Sequence, residues 1–196
     1  MSLLEAPPDR LLAALRGLLV AKGITDTAAI AERIRITDQA SPALGAAMVA
    51  RAWTDLAFRA LLLANGAEAA ELMGVPMRGL PPLGVLENTP DTHHLVVCTL
   101  CSCYPRAVLG YPPFWFKSAA YRARAVRDPR GLLAEWGTTL PDTVRLRVVD
   151  STADYRWMVL PMQPAGTAGW PAERLAALVR EGDMIGVTVP VAKAAL

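Results

Sequence analysis

Both histidines and all three cysteines of the chain fall within residues 93–105, HHLVVCTLCSCYP. The apolar run HLVVC reads as a short strand leading into the cysteines, and Pro105 ensures that the segment cannot continue as a helix. Soft ligands at C-x-x-C-x-C spacing constrain everything around them. Three side chains suited to one metal ion have to be presented together by whatever core the rest of the chain can build.

That core can be substantial. The chain has 196 residues, 53% hydrophobic and 19% charged, enough for one domain of ordinary size with an appended arm. Its net charge is +2 with no run of like charges, so neither nucleic acid nor anionic lipid is an expected partner. No apolar run approaches the roughly 18 to 20 residues of a membrane span. The first residues carry acids at Glu5 and Asp9 and lack a basic n-region with a cleavage site, so no signal peptide is expected and the protein is placed in the cytoplasm. Three crowded cysteines are too few for a disulfide framework.

The chain divides by composition into a helical arm, residues 1–75, and a mixed domain, residues 76–196. RLLAALRGLLVAKG repeats apolar residues at helical spacing and stops at Gly23. It suits either a partner or the chain's own core. TAAIAERIRITDQ and SPALGAAMVARAW follow as helices, and TDLAFRALLLANG is expected to be capped by Thr54 and closed by Gly66. After residue 75, MRGLPPLGVLENTPDT reads as a loop from its prolines and glycines. SAAYRARAVRDPRGLLAEWG is helical with a break at Pro129, and PAERLAALVREG is a helix with proline at its first position. TVRLRVVD, YRWMVLP and MIGVTVP have strand character. Strands and helices alternate without a regular βαβ repeat, which predicts an α+β fold: an extended N-terminal helical arm followed by a metal-binding domain.

Several chemistries compete for Cys98, Cys101 and Cys103. Structural zinc wants four closed ligands, and His94 is available as the fourth, although Cys-x-Cys strains a tetrahedral cage. An iron–sulfur cluster usually needs four cysteines. A redox C-x-x-C leaves Cys103 without a role. A fourth arrangement uses Cys101-Ser102-Cys103 as a planar chelate. With the amides of Ser102 and Cys103 deprotonated, two sulfurs and two nitrogens surround one ion in unstrained rings, and Cys98 adds an axial sulfur. Only a strongly Lewis-acidic trivalent ion, cobalt or iron, favours such amide deprotonation near neutral pH. The sixth position stays open, as a catalytic site requires.

VVCTLCSCYP, continued by LGYPPFWFKSAAYRARAVRDPR, closely resembles the α subunit of nitrile hydratase, as do VDSTADYRWMVLPMQPAGTAGW and the closing MIGV. The resemblance runs from about Trp53 to the C-terminus and weakly through the arm. It implies a layered α/β/β/α domain and a non-corrin cobalt(III) in preference to iron(III), Thr99 after the first cysteine being the cobalt pattern. The implied ligands are Cys98, Cys101 and Cys103 with the amides of Ser102 and Cys103. Cys101 is implied to be a sulfinate and Cys103 a sulfenate, and Cys103, Cys101 and Ser102 form the catalytic set. The implied activity is that of a hydro-lyase turning a small-molecule nitrile, of the bulky nucleoside kind in some relatives, into its amide. A β-type subunit supplies arginines to the oxidised sulfurs, making a hetero-oligomer, and an activator protein inserts the cobalt. Thiocyanate hydrolase, whose metal-bearing subunit shares the motif, is the alternative within the enzymes. A zinc-stabilised interaction module is the alternative outside them.

Three positions depart from the family pattern. Arg106 stands where tryptophan is usual, Gly79 where a glutamine is frequent, and Asp154 is one methylene shorter than the usual acid. Around the cysteines, His93 and His94 are expected to hydrogen-bond structurally. Arg122, Arg124 and Arg127 either anchor the loop or a partner, or form a solvated face. Phe114, Trp115 and Phe116 either wall a channel or fill the core. Asp150, Ser151, Asp154 and Arg156 are expected to brace the metal loop, an ordinary turn being the plainer alternative.

Overall fold

The computed structural model describes residues 7–192. By its internal packing the chain forms two units that divide between Gln39 and Ala40. Among its described residues the first holds two helices. Helix α1, Pro8–Ala21, has proline at its first position, where the missing N–H costs nothing, and the chain leaves it through Gly23 at a φ of +67°. Helix α2, Thr27–Gln39, is opened by the Asp26 carboxylate, which accepts from the Ala29 amide at 2.8 Å. Neither helix contains a buried residue, and Leu12, Leu15 and Leu18 of α1 are all more than half exposed.

The second unit begins with α3, Pro42–Thr54, α4, Leu56–Ala64, and α5, Gly66–Leu72. Met48, Val49 and Leu62 are fully buried, so these helices belong to the same compact unit as the strands. The expected cap and stop of α4 are each displaced by a residue. Thr54 closes α3 instead, and Asp55 caps α4 by accepting from the Phe58 amide. Asn65 caps α5, and Gly66 opens that helix where a Cβ would lie 2.6 Å from the Leu83 carbonyl oxygen.

Among the described residues four strands form two parallel pairs. Strand β1, Leu83–Glu87, pairs with β4, Arg156–Leu160, and β2, Thr92–Val97, pairs with β3, Arg145–Asp150. Strand β1 lies inside the stretch expected to be loop. Its punctuating Gly84 is a packing requirement, because a Cβ there would meet the Trp157 ring at 2.4 Å. Helices α4 and α5 pack on β1, while α8, Ala119–Arg127, and α9, Pro129–Glu135, pack on β2 and β3. The layers are therefore helix, sheet, sheet, helix, the expected α/β/β/α order. Leu95, Val96 and Val97 of β2 and Met158, Val159 and Leu160 of β4 are at most 1% exposed. Each such side chain contributes roughly 1.5–3 kcal/mol by leaving water.

Two short helices follow the cysteines, α6, Arg106–Leu109, and α7, Phe114–Lys117. Helix α10, Ala172–Ala176, is shorter than its apolar pattern and takes Pro171 as its N-cap. MIGVTVP is not a strand. Its start belongs to a 3-10 helix, Glu181–Met184, and Gly186 then turns the chain at a φ of +84°. A Cβ at Gly186 would lie 1.9 Å from the His94 carbonyl oxygen, so only glycine lets this turn press against β2. The Ile185 carbonyl accepts from the Val96 amide at 2.9 Å, which fastens the turn to the strand that carries the cysteines.

Candidate metal centre

Strand β2 ends at Val97, and Cys98 is the next residue, 1% exposed. The chain then loops outward through Leu100, which is 89% exposed, and returns to the core at Cys103 and Tyr104. The Sγ atoms of Cys98 and Cys101 lie 3.5 Å apart, and those of Cys101 and Cys103 lie 3.2 Å apart. All three sulfurs fall within 4.8 Å of one another, close enough to hold one metal ion. The Cys101 amide points at the Cys98 sulfur, 3.3 Å away. Cys98 and Cys103 are buried while Cys101 is exposed, so the cluster has a closed side and an open one.

Strand register decides what holds the loop. Val97 pairs with Asp150, the last residue of β3, so a carboxylate arrives beside the residue that follows Cys98. Asp150 accepts from the Thr99 amide at 3.0 Å and from the Thr99 hydroxyl at 2.5 Å. The Ser151 amide continues the ladder to the Val97 carbonyl at 2.7 Å, and the Ser151 hydroxyl accepts from the Trp157 amide. On the open side, Arg122 of α8 donates to the Cys101 carbonyl at 3.3 Å. On the closed side the buried Tyr104 hydroxyl donates to Glu181 at 2.6 Å, and Tyr121 donates to the Val96 carbonyl at 2.6 Å. Burial raises both phenols far above their ordinary range, so they remain donors at any neutral pH.

The thiols of Cys101 and Cys103 are electrostatically distinct. Hydrogen bonds from Cys103 and Cys98, then from the Ser102 amide, bring Cys101 down to about 7. Burial, followed by the neighbouring Cys101 sulfur, pushes Cys103 up to about 12, against the opposing pull of the Arg156 charge. In the metal-free chain Cys101 therefore ionises before Cys103, and it is the exposed one of the two.

The two histidines turn inward to a single amide. Asn88 Oδ1 accepts from the His94 main-chain N–H at 2.8 Å, which fixes the orientation of that amide. Its Nδ2 therefore donates to His93 Nδ1 at 3.1 Å, leaving His93 Nε2 to donate to the Gly186 carbonyl at 2.8 Å. His94 Nδ1 lies 3.2 Å from the same Asn88 oxygen. Burial lowers the pKa of both rings, with Arg147 and His93 lowering His94 further. They are structural groups, and neither joins the sulfur cluster.

The remaining expected residues separate. Arg122 reaches the loop, whereas Arg124 pairs with Asp128 and Glu135, and Arg127 stays exposed. Phe116 is fully buried and Trp115 packs edge-on against Phe116, Tyr121 and Trp136, but Phe114 is 84% exposed. The Asp154 amide bonds the Thr152 hydroxyl in the β3–β4 connection, as an ordinary turn. Arg106 and Arg156 line a common pocket beside Tyr104. Asn88, Glu181 and Tyr121 were not among the expected residues. For Asn88 the signal was present: a polar residue between two apolar stretches and five positions before a histidine pair. Glu181 is joined to Tyr104 across 77 residues, which no local pattern encodes.

Comparison with known proteins agrees with this geometry. The family model described as nitrile hydratase, alpha chain, matches residues 7–188. The low-molecular weight cobalt-containing nitrile hydratase subunit alpha of Rhodococcus rhodochrous is 49% identical over 178 residues, covering 90% of this chain and 86% of that one. Thiocyanate hydrolase subunit gamma of Thiobacillus thioparus is 41% identical over 192 residues, covering 90% of this chain and 77% of that one. A solved structure of recombinant thiocyanate hydrolase with partially modified cobalt centres superposes with a TM-score of 0.84 at 38% identity, covering 98% of this chain and 97% of that chain. With the match extending across both units and the three sulfurs gathered at the end of β2, the chain belongs to the nitrile hydratase alpha-chain family.

Proposed function

We propose that this chain is the metal-bearing α subunit of a cobalt nitrile hydratase. The observation that carries this reading is the sulfur spacing. With metal–sulfur bonds of about 2.3 Å, two sulfurs lie about 3.3 Å apart at a right angle and about 3.8 Å apart at a tetrahedral angle. The Cys101–Cys103 separation of 3.2 Å matches the right angle of an octahedral ion, and the Cys98–Cys101 separation of 3.5 Å lies between the two values. The donor set is Cys98, Cys101 and Cys103 through sulfur and Ser102 and Cys103 through their main-chain amides, all within residues 76–196. Cobalt(III) bound there supplies Lewis acidity toward a nitrile and an open coordination position.

The reaction adds water across the C≡N bond: oxygen joins carbon, both protons end on nitrogen, and the amide leaves with no other product. In this chain Asp150 and Arg122 hold the loop in its shape, while Tyr104 and Tyr121 tie its ends to the core. Cys101 as sulfinate and Cys103 as sulfenate follow from the same reading, with Cys103 and Cys101 facing the substrate. Their negative charge calls for cations from a β-type subunit, because a desolvated anion without donors is costly. A cobalt-inserting activator protein and a cytoplasmic location complete the proposal. Among the described residues no helix is long and apolar enough to cross a membrane.

Thiocyanate hydrolase is a second reading, favoured by the likeness to its gamma subunit and by two arginines in the pocket beside the loop. Assaying the cobalt-loaded complex with aliphatic nitriles and with thiocyanate decides between them. Amide formation supports the first reading, and thiocyanate turnover without nitrile turnover replaces it with the second. Stoichiometric zinc in protein grown with ample cobalt removes both.

A further inference from the structure

Strand β3 has one edge closed and one open. The Arg145 amide donates to the Asp91 carbonyl and the Ser151 amide to the Val97 carbonyl. Residues facing a neighbouring strand alternate, so Arg145, Arg147, Val149 and Ser151 turn their N–H and C=O groups toward β2. Leu146, Val148 and Asp150 turn theirs away. Arg130 takes the Val144 carbonyl, which closes the start of that outer edge. From Leu146 onward no strand lies beside it, and among the described residues no group bonds these amides and carbonyls. The far edge of β2 is filled instead: the His94 amide donates to Asn88 and the Val96 amide to the Ile185 carbonyl. The pair is therefore sealed on the β2 side and open on the β3 side. Arg145 and Arg147 are exposed on one face of the open strand and take part in none of the ion pairs among the described residues. On its other face Leu146 and Val148 are half-buried.

We propose that the outer edge of β3 receives an extended segment of a separate protein as a third strand, with carboxylates at alternate positions and apolar residues between them. The unpaired N–H and C=O groups supply the ladder, as in strand addition to any exposed sheet edge. A strand placed there lies about 4.8 Å from β3. Its side chains then stand beside Arg145 and Arg147 on one face and beside Leu146 and Val148 on the other. Opposite charges on neighbouring strands attract and like charges repel, so acids at every second position complement the two arginines. A second copy of this chain is the wrong occupant, because β3 against β3 sets arginine beside arginine. Residues 1–6 and 193–196 hold a single acid, Glu5, and cannot supply the alternation either. The edge contains no metal ligand, so its occupant is the same whichever reaction the sulfur cluster supports.

The test uses the full chain and two fluorescein-labelled peptides with blocked ends, Glu-Val-Glu-Val-Glu and Lys-Val-Lys-Val-Lys. Fluorescence polarisation should show saturable binding of the glutamate peptide, at least tenfold tighter than the lysine peptide. Binding should be lost when the glutamate peptide's amides are N-methylated. Hydrogen exchange read by NMR should slow at least tenfold at the Leu146 and Val148 amides once peptide is bound. The Arg147 and Val149 amides already face β2, so their exchange should not change. Combining Arg145→Glu with Arg147→Glu should reverse the preference to the lysine peptide. Where that double variant fails to fold, the comparison of the two peptides on the wild-type chain remains decisive. No saturable binding, equal binding of the two peptides, or binding that leaves Leu146 and Val148 exchange unchanged overturns the proposal. The arginines would then be charges that keep the edge from pairing at all. Slow exchange at both amides before peptide is added also overturns it, and slowing that grows with protein concentration assigns the edge to a second copy.

Discussion

Asp150 holds Thr99 twice, accepting from its amide at 3.0 Å and from its hydroxyl at 2.5 Å. The two residues are 51 positions apart and meet because Asp150 ends β3 opposite Val97, the last residue before Cys98. The carboxylate thereby sets the direction in which the cysteine loop leaves the strand. Asp150→Ala removes both acceptors and should cost about 1–3 kcal/mol. Because the loop and not the core loses support, cobalt per chain should fall more than the melting temperature. Elemental analysis after growth with cobalt checks this, and Asp150→Asn, which retains an acceptor, should lie between. Full cobalt occupancy in Asp150→Ala would show that the loop needs no brace.

The centre was legible in the sequence because its donors are contiguous: Cys98, Ser102 and Cys103 need only a turn to meet, and the spacing itself specifies the turn. The long-range supports were legible unevenly. Asp150 stood out as an acid at a strand end, but its partner depended on register. Glu181 had no signal, since its tie to Tyr104 exists only after β2 and the C-terminal turn have packed. Strand β1 was hidden by Pro81, Pro82 and Gly84, whose local preference for a loop is overridden by pairing with β4 and by the Trp157 ring against Gly84. MIGVTVP failed in the opposite direction. Its β-branched residues suit a strand, yet Gly182 and Gly186 let it curl against β2 and bond Val96 instead.

The cysteines should differ chemically in the assembled enzyme. Cys98 is buried and begins at the end of a strand, whereas Cys101 faces solvent. Burial sets Cys98 apart from Cys101, while the assignment of Cys103 rests on the proposed function. Peptide mass spectrometry of the active cobalt complex should find Cys98 unmodified, two oxygens on Cys101 and one on Cys103. Cys103→Ala should abolish hydration while leaving the fold in place, since the lost thiol spans little of the core. Full activity with three reduced cysteines refutes this assignment.

Gly186 ties the C-terminal turn to the metal-bearing strand. At a φ of +84° an alanine is strained, and its Cβ would fall 1.9 Å from the His94 carbonyl oxygen. Backbone meets backbone here, so no side chain can move aside. Gly186→Ala should destabilise by on the order of 3 kcal/mol or more, through strain and through separation of the turn from β2. Denaturant unfolding measures the loss, and Gly166→Ala is the comparison. Gly166 also has a positive φ, at +79°, but nothing surrounds its missing Cβ, so it should cost only the backbone strain. Equal effects at the two glycines would exclude the close approach as the cause.

His93 and His94 carry the pH dependence of the buried polar cluster. Burial lowers the pKa of both below the ordinary value of 6.5, the Gly186 carbonyl offsetting part of this for His93 and the Glu87 backbone part of it for His94. Arg147 on β3 adds a like charge against His94, and the two rings repel each other once protonated. The folded state therefore binds fewer protons than the unfolded chain as pH falls through about 6.5. Stability from these residues is fully present above that pH and declines below it, levelling off once the folded rings also protonate. Replacing Asn88 by Ala should deepen the problem at every pH, because His93 Nδ1 and the His94 amide lose their partner. Urea midpoints of the wild type should drop between pH 7 and pH 5, and His93→Gln should flatten the drop while keeping a polar side chain. A midpoint that is flat in the wild type, or a slope unchanged in His93→Gln and in His94→Gln, would assign the acid sensitivity to other groups.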